Sequence, residues 1–205
     1  MDWDSIDTLI FDLGGILIDI DYTKTIQEFE KLGVNNFQQQ YSQAAQSNLF
    51  DEFETGKISV QRFINGVLPL LGKGTTANQV VHAWNSMLLD VPLEKIKLLE
   101  RLKQKYPMFL LSNTNAIHLP IVEKRWAKTS PQPMTSFFEK CYFSHEIQLR
   151  KPHAEAFQFV CKENALNPAR TLFIDDSMQH VLGAKAFGLQ AFHASNSEEL
   201  FALFS

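Results

Sequence analysis

The sequence predicts an α/β fold in which a parallel sheet is flanked by helices and an all-helical segment is inserted after the first strand. Three observations carry this expectation. Strand-like apolar runs alternate with helical patterns from about residue 91 onward, whereas residues 22 to 90 show helical periodicity alone. Three apolar runs also end abruptly in residues able to do chemistry. Ile10-Phe11 delivers Asp12, Met108-Phe109-Leu110-Leu111 delivers Ser112-Asn113, and Leu172-Phe173-Ile174 delivers Asp175-Asp176. Ligands of open parallel sheets bind beyond the carboxyl ends of the strands, so these three ends outline one metal-dependent phosphate site.

The elements follow in order. Gly14 and Gly15 after the first strand call for a tight turn. Ile26, Phe29 and Leu32 form one helical face that Gly33 stops. Val60, Phe63, Ile64, Val67, Leu68 and Leu71 recur at helical spacing behind Ser59 as N-cap, with Pro69 as a kink. Thr76 and Gln79 make a capping box for a helix through Val80, Val81, Trp84, Met87 and Leu88. Leu93, Ile96, Leu99 and Leu102 mark the next helix, and Met108 to Leu111 the second strand. A helix is expected from Asn115 to about Lys128, then a short strand at Cys141-Tyr142-Phe143. Pro152 suits the first turn of a helix using Phe157 and Val160. Ser177 caps a helix ending at Phe187-Gly188, Leu189 to Phe192 is a fifth strand, and Ser197 to Phe204 closes the chain.

Composition narrows the function. A length of 205 residues with 45% hydrophobic content supports a full core. The formal net charge of −4 and dispersed Lys and Arg exclude a polyanion-binding surface, so no nucleic-acid partner is expected. No run reaches the roughly 18 apolar residues of a membrane span, and the acidic start lacks a signal core. Cys141 and Cys161 read as buried reduced thiols, and the protein as cytoplasmic.

Each candidate residue has a plain alternative. Asp12 is a nucleophile able to form an aspartyl phosphate, or a strand-end carboxylate capping a turn. Asp175 and Asp176 are ligands for Mg²⁺, or helix caps; two adjacent carboxylates after a buried strand favour a cation. Ser112 and Asn113 offer a hydroxyl and backbone N–H groups to phosphate oxygens, or form a solvated loop. Lys151 neutralises the carboxylates and the phosphoryl group, or decorates the surface. His118, His145 and His153 lack zinc-ligand spacing and read as surface or supporting groups.

In their joint order these motifs resemble the haloacid dehalogenase superfamily, specifically its small phosphatases with a helical cap. The resemblance rests on Phe11-Asp12-Leu13-Gly14-Gly15, Leu111-Ser112-Asn113-Thr114-Asn115, Arg150-Lys151-Pro152 and Phe173-Ile174-Asp175-Asp176. Smaller echoes are Glu54-Thr55-Gly56-Lys57-Ile58-Ser59 and Ser144-His145-Glu146-Ile147. It implies a Rossmann-like core of residues 1–18 and 91–205 and a cap of residues 19–90. It implies Asp12 as nucleophile, Ser112, Asn113 and Lys151 on phosphate, and Mg²⁺ on Asp12, the Gly14 carbonyl, Asp175 and Asp176. The expected substrate is a small phosphorylated metabolite, with the branch acting on sugar phosphates such as α-D-glucose 1-phosphate most similar. The expected assembly is a monomer or weak homodimer.

One departure matters. Gly14 occupies the position where the common phosphatase motif has a second Asp that protonates the leaving oxygen. Another group, water, a good leaving group or slow turnover must make up for it; Asp19 and Asp21 are near in sequence. Competing readings are a metal-independent dehalogenase-like hydrolase, a phospho-accepting switch, and a catalytically weakened binding protein of the same fold.

Overall fold

A computed structural model of the chain describes residues 2–33 and 49–205. Its centre is a five-stranded parallel sheet of β1 (Thr8–Phe11), β2 (Met108–Ser112), β3 (Lys140–Phe143), β4 (Thr171–Asp175) and β5 (Gln190–His193). The order is β3-β2-β1-β4-β5, so β1 is central and the chain reverses its direction of travel across the sheet on either side of it. That reversal opens a crevice beyond the carboxyl ends of β2, β1 and β4.

The strands are buried on both faces, as parallel strands are. Leu9, Phe11, Leu110, Leu172 and Ile174 pack on one face, and Ile10, Phe109, Leu111 and Phe173 on the other, an alternation of period two. The first face is covered by α5 (Leu93–Lys103), α6 (Leu119–Thr129) and α10 (Ser197–Leu203), through residues such as Leu99, Trp126 and Leu200. The second is covered by α8 (Ala154–Glu163) and α9 (Met178–Phe187), with Phe157, Val160 and Ala184 inward.

Between β1 and α5 the described residues form α1 (Tyr22–Lys31), α2 (Leu49–Glu54), α3 (Val60–Val67) and α4 (Ala77–Asn85). The part of the expected helical block at 34–48 lies outside the described residues. These four helices share an apolar cluster of their own, in which Phe53 stacks on Phe63 at 4.2 Å. Burying each such ring stabilises the cluster by roughly 2–3 kcal/mol. Ile117, from the loop after β2, is the core residue that joins it. Two connecting segments run side by side into this region. The Asp21 N–H donates to the Met87 carbonyl, the Leu89 N–H to that of Asp19, and the Asp19 N–H to that of Asp90. Lys95, buried on α5, holds the first segment through an ion pair to Asp19 at 2.7 Å.

Several expected boundaries move for local reasons. The helix after β2 starts at Leu119 rather than Asn115, because the Asn115 Oδ1 accepts the N–H groups of Ile117 and His118 (both 3.0 Å) and closes a separate turn first. The capping box of Thr76 and Gln79 forms, but α4 stops at Asn85, and Leu88 pairs instead with Ile20. Pro69 ends α3 at Val67 and leaves a short 3₁₀ turn. Ser177 stands at the start of α9 without a side-chain cap, and Pro152 precedes α8 by two residues. The closing helix is capped by Asn196, whose Oδ1 accepts from the Glu199 N–H at 3.0 Å. Cys161 is buried, but Cys141 is only half-buried. No helix of the described residues is long and apolar enough to cross a membrane.

Candidate active site

β1 ends at Phe11, and the Asp12 N–H is fixed by the Ile174 carbonyl of β4 at 2.9 Å. That bond seats Asp12 beside Asp175, the last residue of β4. Carboxylate oxygens of Asp12, Asp175 and Asp176 lie within 4.8 Å of one another. Three hard oxygen donors at that spacing suit Mg²⁺. Lys151 enters the same cluster: its Nζ donates to Asp12 Oδ1 and to Asp175 Oδ2, both at 2.6 Å, and it is fully buried. The surface alternative for Lys151 is thereby overturned; burial with two carboxylates makes it a structural counter-ion of the site.

The loops explain how Lys151 gets there. The Asn113 side chain clamps the Lys151 backbone, donating to its carbonyl at 2.9 Å and accepting from its N–H at 3.0 Å. One donor and one acceptor of the Asn113 amide are therefore engaged by the protein. Ser112, at the end of β2, is buried and lines the crevice. Asp175 Oδ1 accepts from the Ser177 N–H at 2.8 Å and from His180 Nδ1 at 3.0 Å. His180 was not singled out in the sequence; its place one turn into α9, five residues after Asp175, was the available signal.

Charge is unevenly balanced. Burial pushes the Asp12 carboxyl up to about 7, against the pull of Lys151. Burial would also raise Asp175, but Lys151 and His180 override it and hold it down at about 2. Asp176 is raised by burial and by its neighbour Asp175, and makes no ion pair among the described residues. Burial would lower Lys151, yet the two carboxylates keep it above the ordinary lysine range. Three acidic groups thus face one permanent cation, and a divalent ion fits that excess. Gly15 is shaped to it as well: at φ +72°, a Cβ there would lie 2.1 Å from Asp176 Oδ2.

Above this cluster, a cavity of about 370 Å³ opens between the sheet end and the helices. Gly14, Ser112 and Asn113 form its floor; Ile20, Trp84, Met87 and Glu54 stand among its walls. Of its two readings, surface or supporting, His118 takes the second: it is buried, stacks on Trp84 at 5.3 Å, and bonds Asn85 Oδ1 through Nδ1 at 2.9 Å. Neither acidic neighbour of Gly14 in sequence reaches the cavity as a free acid. Asp19 pairs with Lys95, and Asp21 caps α1 by accepting from the Thr23 N–H at 2.9 Å.

Burial lowers His118 from 6.5 to about 3, which yields a stability prediction. The unfolded chain binds this proton below pH 6.5 and the folded chain does not, so stability falls as pH drops from about 6.5 toward 3. The slope from this group approaches about 1.4 kcal/mol per pH unit. Urea titrations at several pH values should show a flatter acid limb for His118→Gln. An unchanged limb would mean that the imidazole is charged in the folded protein.

The profile of the haloacid dehalogenase-like hydrolases matches residues 6–188. The chain belongs to this family. Among haloacid dehalogenase-like relatives, the D-ribitol-5-phosphate phosphatase of Bacteroides thetaiotaomicron is 30% identical over 194 residues, covering 95% of this chain and 94% of that one. The sesquiterpene phosphatase astK of Aspergillus oryzae is 24% identical, covering 92% of this chain and 89% of its own. A haloacid dehalogenase family enzyme from B. thetaiotaomicron, solved with magnesium and inorganic phosphate, superposes with a TM-score of 0.87 at 34% identity, covering 98% of this chain and 100% of that one. The chain is therefore a hydrolytic enzyme with the α/β fold of this family, as the sequence resemblance implied.

Proposed function

We propose that the protein is a Mg²⁺-dependent phosphatase of a small phosphorylated sugar or sugar alcohol, working through an aspartyl phosphate on Asp12. The observation that carries this reading is the cluster of buried Asp12 and Asp175 with half-buried Asp176, the first two paired with Lys151. The relative named for D-ribitol 5-phosphate favours a polyol phosphate over the narrower α-D-glucose 1-phosphate expectation.

Asp12, Asp175, Asp176 and the Gly14 carbonyl would hold the ion, which when bound draws negative charge from the phosphoryl oxygens. The protein's own part is as follows. Lys151 pins one oxygen of Asp12 and so orients the carboxylate for in-line attack. Ser112 and the backbone of Asn113 receive phosphoryl oxygens, while Lys151 offsets the charge that develops as the P–O bond breaks. Residues 19–90 act as a cap over a core of 1–18 and 91–205, and the cap wall of the cavity excludes water during the first step. The two free cysteines suit a reducing cytoplasm.

A metal-free dehalogenase reading gives Asp176 nothing to do, since a further carboxylate beside Asp175 repels a haloacid. The test is phosphate release from a panel of sugar and polyol phosphates. Excess chelator should silence turnover, and Mg²⁺ should restore it better than Ca²⁺, because the smaller ion holds tighter octahedral geometry. Asp175→Asn and Asp176→Asn should each raise the Mg²⁺ needed. Activity that persists in chelator would overturn the metal assignment.

A further inference from the structure

Resting on the phosphatase reading, we propose that Glu54 of α2 is the proton donor to the leaving oxygen and then the base for the attacking water, replacing the carboxyl missing at Gly14. Glu54 lines the same cavity as Gly14, Ser112 and Asn113. Its position is fixed to the phosphate loop itself. Ser144 Oγ lies 2.6 Å from the Glu54 carbonyl and 2.9 Å from that of Thr114, and it accepts from the Thr114 N–H at 2.9 Å. The end of α2 is thus tied to the residue that follows Ser112 and Asn113.

The charge arrangement shifts Glu54 toward its protonated form. Arg150 bonds Asp51 at 2.6 Å and Glu54 Oε2 at 3.0 Å, so one guanidinium faces two carboxylates on the same helix. Of the two, the Glu54 side chain is the less exposed, at 21% against 46%. Burial, seconded by the Asp51 carboxylate, holds the Glu54 carboxyl above its ordinary range despite Arg150. Arg62 on α3, and His145 and Glu146 on α7 (Ser144–Ile147), sit on the elements packed against α2, and none forms an ion pair with Glu54. His118, on the cavity wall, is kept neutral by burial.

In the first step an Asp12 oxygen forms a bond to phosphorus, the P–O ester bond breaks, and its electron pair takes the Glu54 proton. In the second, a water oxygen bonds to phosphorus, its proton returns to Glu54, and the Asp12–phosphorus link breaks to release phosphate. Atoms and charge balance across the pair.

The experiment measures kcat/KM with Mg²⁺ for an ester series running from p-nitrophenyl phosphate to alkyl and polyol phosphates. The wild type should depend weakly on leaving-group basicity. Glu54→Gln should lose about 10²-fold or more on alkyl esters yet stay within about threefold on p-nitrophenyl phosphate, whose leaving group needs no proton. A retained kcat/KM on the aryl ester, which reports the first step alone, also shows that the variant is folded. Where it is not, Glu54→Asp, which keeps a carboxyl group but withdraws it by one methylene, should steepen the same dependence. A steep dependence in the wild type, or an equal loss across the series in a folded variant, would overturn the proposal. No turnover of any ester by the wild type would instead sink the phosphatase reading.

Discussion

Lys151→Met should unfold the metal-free protein far more easily than any surface change, with a loss of about 3–5 kcal/mol, because it leaves buried carboxylates without their counter-ion. The methionine chain fills nearly the same space, so the loss is electrostatic rather than a cavity effect. Asp175 bears most of it: that carboxyl is fully buried and held ionised mainly by Lys151. Added Mg²⁺ should recover part of the stability, since it supplies positive charge to the same three carboxylates. Turnover should stay lost, because nothing then orients Asp12 or neutralises the phosphoryl group. Urea unfolding of both proteins, in chelator and in Mg²⁺, checks this. Equal stability of the two in chelator would show that the carboxylates are protonated in the folded state.

Asp12→Asn should act in the opposite way, removing turnover and sparing the fold. An amide is a poor nucleophile, and losing an essential nucleophile costs on the order of 10⁴-fold or more in kcat. Stability is a different matter. Burial raises the Asp12 carboxyl to about 7, so its charge is a burden on the metal-free folded state. Asparagine relieves that burden, while Lys151 keeps Asp175 as its partner. The urea midpoint should therefore hold or rise in chelator, and the stabilisation gained from Mg²⁺ should shrink. Phosphate release and the two unfolding curves decide it. Wild-type turnover would remove Asp12 from the nucleophile role.

Much of this was legible in the sequence because parallel strands buried on both faces leave a plain mark: an apolar run that stops where the chain reaches the crevice. Asp12, Ser112 and Asp175 could be read that way, and all three stand at neighbouring strand ends. Side chains that arrive from loops leave no such mark. Lys151 looks like any loop lysine until the Asn113 clamp, 38 residues earlier in the chain, turns it inward. Glu54 and Arg150 meet across nearly half the sequence, and no local pattern encodes that meeting. His118 follows a polar stretch, and only the Trp84 indole packed on it shows that it is buried. Helix ends shifted for a related reason: Asn115 spends its side chain on a private turn, a choice that periodicity does not see.

The sheet order also governs how the enzyme comes into being. β1 leads into Asp12, the proposed nucleophile, yet its two partners are among the later parts of the chain: Leu9 pairs with Met108, and Thr8 with Thr171. A nascent chain emerging from the ribosome therefore holds β1 with both edges open until β2 is made, and with one edge open until β4 follows. Such long-range pairing slows folding and exposes strand edges meanwhile. The helices after β1 have their own apolar cluster and can consolidate during that wait. Truncated products ending before β4 carry Asp12 but lack Lys151 with Asp175, or Asp175 alone, and present an unpaired hydrophobic strand. Such fragments are expected to aggregate rather than to act as weak enzymes, because the open edge of β1 is covered only when β4 is made.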